Sequence, residues 1–163
     1  MYDFRPAPGT PKPPLYSDLL SAADALTRDE SDAVANMANV AALLWEFLAD
    51  VNWTGFYRAS DNEPEELVLG PFMGRPACIR IPFAQGVCGA AAKTGKTQLV
   101  ADVHAFPGHI ACDGDTQSEL VVPVIRDGRV IAVIDLDSPS KARFDEEDAA
   151  GIEALAAMLA GRI

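Results

Sequence analysis

The stretch "ELVVPVIRDGRVIAVIDLDSP", residues 119–139, constrains the fold more than any other part of the chain. Two β-branched runs flank Asp127-Gly128, and Asp-Gly is a strong signal for a two-residue hairpin turn. Both runs are apolar at nearly every position, so the hairpin is expected to be covered on both faces. Pro123 has no N–H to give a ladder, so that side of its strand should meet an edge or a bulge. An antiparallel hairpin buried on both faces requires helices or loops above and below it. The rest of the chain must supply them.

Helical periodicity appears at both ends. Leu15, Leu19, Leu20, Ala23 and Leu26 suit a short amphipathic helix. Thr27 with Glu30 reads as a capping box opening a second helix, whose buried face would be Val34, Met37, Ala41, Leu44 and Leu48. At the other end, Asp145 is the expected cap of a closing helix with Ile152, Leu155 and Leu159 inward; Gly151 weakens it slightly. Between these lie strand candidates "NWTGFYR", "ELVLG", "ACIRIPF" and "TQLVAD". "GVCGAAAKTG" should turn into a short helix that stops at Gly95. Terminal helices around a mainly antiparallel middle define an α+β domain. It is expected over residues 15–163, after a flexible proline-rich arm at 1–14.

Charge excludes some partners. With 13 basic and 24 acidic residues the net charge is -11, which disfavours nucleic acid and anionic membrane surfaces. No apolar run reaches the length of a membrane span, and no signal peptide is visible. The expected location is the cytoplasm, where thiols rest reduced and a disulfide is more often catalytic or redox-sensing than structural.

Three cysteines remain to be explained. Their spacings contain no C-x-x-C pair, so a zinc site completed by His104 and His109 is disfavoured, and no metal is expected. Cys78 borders an apolar strand and reads most simply as a small buried side chain. Cys88 stands at a helix start, where the dipole would favour a thiolate; a tight turn that merely holds a cysteine is the equally weighted alternative. Cys112, in the polar loop "PGHIACDGD", is the thiol expected to be accessible. A histidine nearby would favour its thiolate and Asp113 would oppose it.

The carboxylates form a second constellation. Asp135 and Asp137 share one face of a strand. With a tight turn at 127–128, paired positions sum to about 255, so Glu119 should lie near position 136 and join both aspartates. Three clustered acids repel unless a cation or ammonium sits among them; a solvated acidic edge is the plainer alternative. Trp53 and Tyr57 share a strand face, either as core or as an aromatic wall for a methyl group or cation.

Taken together, "NWTGFYR", "LVLGPFMGRPACIRIPFAQGVCG", "VADVHAFPGHIACD", "SELVVPV" and "IDLDSP…FD" resemble the free methionine-(R)-sulfoxide reductases, which are stand-alone GAF domains. The resemblance runs from about Tyr16 to the C-terminal helix. It implies a GAF-like fold and reduction of free L-methionine-(R)-sulfoxide. It makes Cys112 the nucleophile, with Cys78 or Cys88 resolving its sulfenic acid as a disulfide. Glu119, Asp135 and Asp137 would hold the substrate, with Trp53 and Tyr57 in the pocket. No bound cofactor is implied, and thioredoxin would be the external reductant. Met73 and Ala84 stand where that family is expected to carry Gln and Gly. A homodimer is compatible with the apolar-faced N-terminal helix. The competing reading is a GAF-type module that senses a small ligand or oxidant without turnover. Resolution requires the Cys112 loop to move, with Gly108 and Gly114 as hinges.

Overall fold

The computed structural model describes residues 4–108 and 113–163. Among these residues the order is α1 (Lys12–Thr27), α2 (Ala33–Phe47), β1 (Trp53–Ala59), β2 (Glu66–Gly74), β3 (Arg80–Pro82), α3 (Gly86–Thr94) and β4 (Gln98–Val100). A 3-10 turn (Val103–Ala105), β5 (Ser118–Arg126), β6 (Arg129–Ser138) and α4 (Glu146–Leu159) complete it. The six strands form one antiparallel sheet in the order β3-β2-β1-β6-β5-β4. No helix among the described residues is long and apolar enough to cross a membrane.

Alternation along β5 and β6 divides the interior into two cores. Leu120, Val122 and Val124 join Ala132, Ile134 and Leu136 on one face, packed under α1, α2 and α4. Val121 and Val133 point to the other, where α3 supplies Val87, Ala91 and Ala92. The hairpin is therefore covered on both sides, as its composition demanded. Asp127 and Gly128 both have positive φ, 52° and 74°, which is the turn that matches the twist of the strands. Pro123 is accommodated because β4 pairs only with residues 119–121 and leaves that side of β5 open beyond them.

The first helix starts at Lys12, inside the stretch expected to be an arm. Pro13 and Pro14 fall in the first turn, where N–H groups have no intrahelical acceptor, so proline costs nothing there. The cap of α2 is Asp32, whose side chain accepts from Ala35 N at 2.8 Å. The expected Thr27–Glu30 box does not form: Thr27 ends α1 and its hydroxyl donates to Ala23 O at 2.8 Å. Val34, expected inside, is 56% exposed, while Met37, Ala41 and Leu44 are buried. Asp145 and Asp148 do form a reciprocal capping box at α4.

Gly151 has a packing reason. A Cβ there would lie 2.3 Å from the Tyr16 ring, so the missing side chain lets α1 and α4 close together. The Tyr16 hydroxyl donates to Asp148 Oδ1 at 2.7 Å, and Lys12 Nζ lies 2.8 Å from Asp148 Oδ2. The buried carboxylate is thus paired rather than orphaned.

Candidate active site

The site begins with an irregularity in the β5–β6 hairpin. Near the turn, Arg126 faces Arg129 and Ile125 faces Val130, so paired positions sum to 255 as a tight turn requires. The next pair is Val124 and Ala132, and Ile131 has no partner. This bulge advances the register by one residue. Glu119 consequently faces Asp137, not position 136. Directly paired residues in an antiparallel sheet project to the same side, so in the tight register Glu119 would have accompanied Leu136 into the three-helix core. The expectation that the three acids meet is met, but only because of the bulge.

On the other flank of β6, Trp53 pairs with Asp137 and Gly55 with Asp135. Trp53, Asp137 and Glu119 therefore stand in one row across β1, β6 and β5. Trp53 stacks between Tyr57 (centroids 5.8 Å apart) and Phe72 (5.1 Å). Its indole N–H donates to the Arg75 carbonyl at 3.2 Å, and the Tyr57 hydroxyl donates to the Cys78 carbonyl at 3.0 Å. The aromatic wall is thus tied to the loop 75–79.

Trp53, Tyr57, Cys88, Glu119, Asp135 and Asp137 line one cavity together with Arg75, Asp113 and Thr116. Burial is the dominant electrostatic fact. It pushes the Glu119 carboxyl well above the usual carboxylate range, aided by the charges of Asp135 and Asp137. Burial raises Asp135 to about 6, while hydrogen bonds from Cys88 and Glu119 pull against the shift. Asp137 is also pushed well up, first by desolvation and then by Asp135 and Asp113. Each carboxyl of the cluster thus holds its proton more tightly than a solvated one does. A protonated member can donate to an acceptor, and an ionised one can receive an ammonium. Asp135 Oδ1 is buried with no hydrogen-bond partner among the described residues, so one acceptor position is left open.

Cys88 departs from expectation. It lies at the start of α3, but it is 4% exposed, and its thiol is pushed well above the ordinary value by burial and by Asp135 and Glu119. Desolvation and two carboxyls outweigh the helix dipole. The thiolate favoured by the helix-start argument is not what this environment supports. Cys88 is a free thiol, whereas Cys78, expected as a small buried side chain, is half-buried in the loop before β3 and disulfide-bonded. Cys112 and His109 lie outside the described residues. His104 is exposed in the 3-10 turn, away from the cavity lining. Cys88, Glu119 and Asp135 offer three potential ligand atoms within 4.8 Å of one another, the one such group among the described residues.

Several site residues had no recognisable sequence pattern. Asn52 Nδ2 donates to Asp113 Oδ2 at 3.3 Å and to Thr116 Oγ1 at 3.2 Å, fixing the chain just after Cys112. Arg75 Nη1 lies 2.8 Å from Asp115 Oδ2 and 3.4 Å from Asp113 Oδ1. At the preceding end of that loop, Gly108 has φ 72° and its carbonyl accepts from Gly86 N at 3.1 Å. Ala84 has φ 67°, a left-handed conformation that suits the glycine expected there.

A six-stranded antiparallel sheet covered by helices is the architecture of GAF domains, and the GAF domain family matches residues 27–161. The chain belongs to that family. Among its relatives, the free methionine-R-sulfoxide reductase of Escherichia coli (strain K12) is 45% identical over 148 residues, covering 91% of this chain and 88% of its own. The enzyme of the same name from Saccharomyces cerevisiae is 42% identical, covering 91% and 85%. The X-ray structure of free methionine-R-sulfoxide reductase from Neisseria meningitidis in complex with its substrate superposes with a TM-score of 0.92. It is 46% identical and covers 99% of this chain and 95% of that one. The chain is a member of the free methionine-R-sulfoxide reductase family, an enzyme family on the GAF fold.

Proposed function

We propose that this protein reduces free L-methionine-(R)-sulfoxide to L-methionine, with Cys112 as nucleophile, Cys78 as resolving thiol and thioredoxin as the dithiol that regenerates both. The observation that carries this reading is one cavity joining an aromatic wall, Trp53 and Tyr57, to three acids, Glu119, Asp135 and Asp137. Asp113, next in sequence to Cys112, also lines it.

Each part of the substrate has a chemical counterpart. Ionised Asp135 receives the α-ammonium. Arg75 faces the α-carboxylate. The wall takes the S-methyl group, and protonated Glu119 donates to the sulfoxide oxygen. The Cys112 thiolate attacks sulfur as that oxygen takes its proton. Methionine leaves, and Cys112 keeps the oxygen as a sulfenic acid. The Cys78 thiol then attacks the Cys112 sulfur and releases water. The sum is one sulfoxide and two thiols converted to one sulfide, one disulfide and one water. The disulfide at Cys78 and the free, buried Cys88 support this choice of resolving thiol. A substrate whose nitrogen lies in a peptide bond has no ammonium to offer Asp135, so protein-bound methionine sulfoxide is excluded. Recycling by a cytoplasmic dithiol fits the proposed location.

The test is methionine release with thioredoxin or dithiothreitol on separated R and S diastereomers. The R form of the free amino acid should turn over and the peptide-bound form should not. Unchanged turnover in Cys112→Ser would refute the nucleophile. Binding or thiol oxidation without repeated turnover would favour a sensor.

A further inference from the structure

Cys88 is the one cysteine that the proposed redox cycle leaves unused. Its Sγ lies 3.9 Å from Glu119 Oε1 and within 4.8 Å of an Asp135 oxygen. All three side chains are buried, Cys88 at 4% exposure and the two acids at 6%. The pair is largely withdrawn from solvent, and Asp135 Oδ1 has no partner among the described residues. A buried carboxylate with so few donors is costly, and each donor matters more than it would in water.

We propose that Cys88 is a positioning residue rather than a redox thiol: its S–H donates into the Glu119–Asp135 pair and lets that pair hold one proton and one negative charge. The thiol is a neutral donor of small size. It steadies the anion from the α3 side and, being uncharged, leaves the negative charge of the pair in place. A lysine at that point would neutralise the pair, and an apolar side chain would leave it without a donor from α3. The other titratable or charged groups lining the cavity are Asp137 beside the pair on β6, Tyr57 on β1, Asp113, and Arg75, whose guanidinium is held by Asp113 and Asp115. None of the acids can support an anion when ionised, so the proton on Cys88 carries the difference. Hydrogen bonding from Cys88 opposes the burial that raises Asp135, in line with this role.

The proposal rests on the reductase reading, so its test has a substrate-free arm. The full-length protein would be compared with Cys88→Ala and Cys88→Ser, following the Asp135 and Glu119 carboxyls by carbon-detected NMR across pH. Removing the donor should raise the apparent ionisation of the pair by about one pH unit, a tenfold change in proton affinity. The serine variant should return toward wild type, because its hydroxyl also donates. Identical titration in wild type and Cys88→Ala would overturn the proposal. In the second arm, one turnover without reductant is followed by counting thiols. Cys88→Ala should still convert its two remaining thiols to a disulfide. A persistent sulfenic acid in both Cys88 variants would make Cys88 the resolving thiol and also overturn the proposal. If wild type released no methionine, the reductase reading would fail while the titration still judged Cys88.

Discussion

Replacing Asp135 with asparagine should stabilise the protein while impairing its chemistry. Burial raises the Asp135 carboxyl from 3.8 to about 6 in the folded state. The folded protein therefore binds that proton more tightly than the unfolded chain does. Below about pH 3 both states are protonated and the group is neutral in its effect. As pH climbs from about 4 to about 6, the unfolded chain releases the proton first, and folding stability falls. Above pH 6 the full penalty is present. The shift of about 2 units corresponds to about 3 kcal/mol at 1.36 kcal/mol per unit. Asparagine keeps the shape and never ionises. Asp135→Asn should therefore gain about 3 kcal/mol at pH 8, or roughly 6–12 °C in Tm for a domain of this size. The gain should shrink to about 0.5 kcal/mol at pH 4 and vanish near pH 3. Glu119 and Asp137 are both raised partly by the charge on Asp135, so their relaxation would add to the gain. The assay is urea and thermal unfolding of both proteins across pH 4–8, with the disulfide in the same state. A variant no more stable than wild type at pH 8, or one with an equal gain at pH 4, would refute the reasoning. The same substitution should raise KM strongly, since the ammonium loses its anion.

Further perturbations follow from particular contacts. Gly151→Ala should destabilise by about 1–3 kcal/mol, measured by urea unfolding, because the new Cβ meets the Tyr16 ring at 2.3 Å and overpacking outweighs the better helix propensity of alanine. Tyr57→Phe removes the 3.0 Å bond to the Cys78 carbonyl; disulfide formation after one turnover should slow, while the stability loss stays near 1 kcal/mol.

Much of the secondary structure was legible because it rests on local chemistry. Asp127-Gly128 adopts the two positive φ angles that its residue types favour, and Asp145 caps α4 through atoms three residues away. Where several local solutions competed, the sequence was ambiguous. Thr27–Glu30 was the expected cap of α2, and the chain uses Asp32 instead. The two prolines before Leu15 suit an extended arm or a first helical turn equally well, and docking of α1 on α4 selected the turn.

The residue types of the site were visible in the sequence: three acids, two aromatics and three thiols in a recognisable family pattern. Their joint geometry was not. One unpaired residue, Ile131, moves Glu119 from the face of Leu136 to the face of Asp137. Side chains alternate at every step of a strand, so a slip of one residue reverses an entire face, and tertiary packing on both sides of the sheet decides where that slip falls. The protonation of Cys88 was settled in the same way. A helix start favours a thiolate locally, but burial beside Glu119 and Asp135 is a long-range fact, and in a medium without water it prevails.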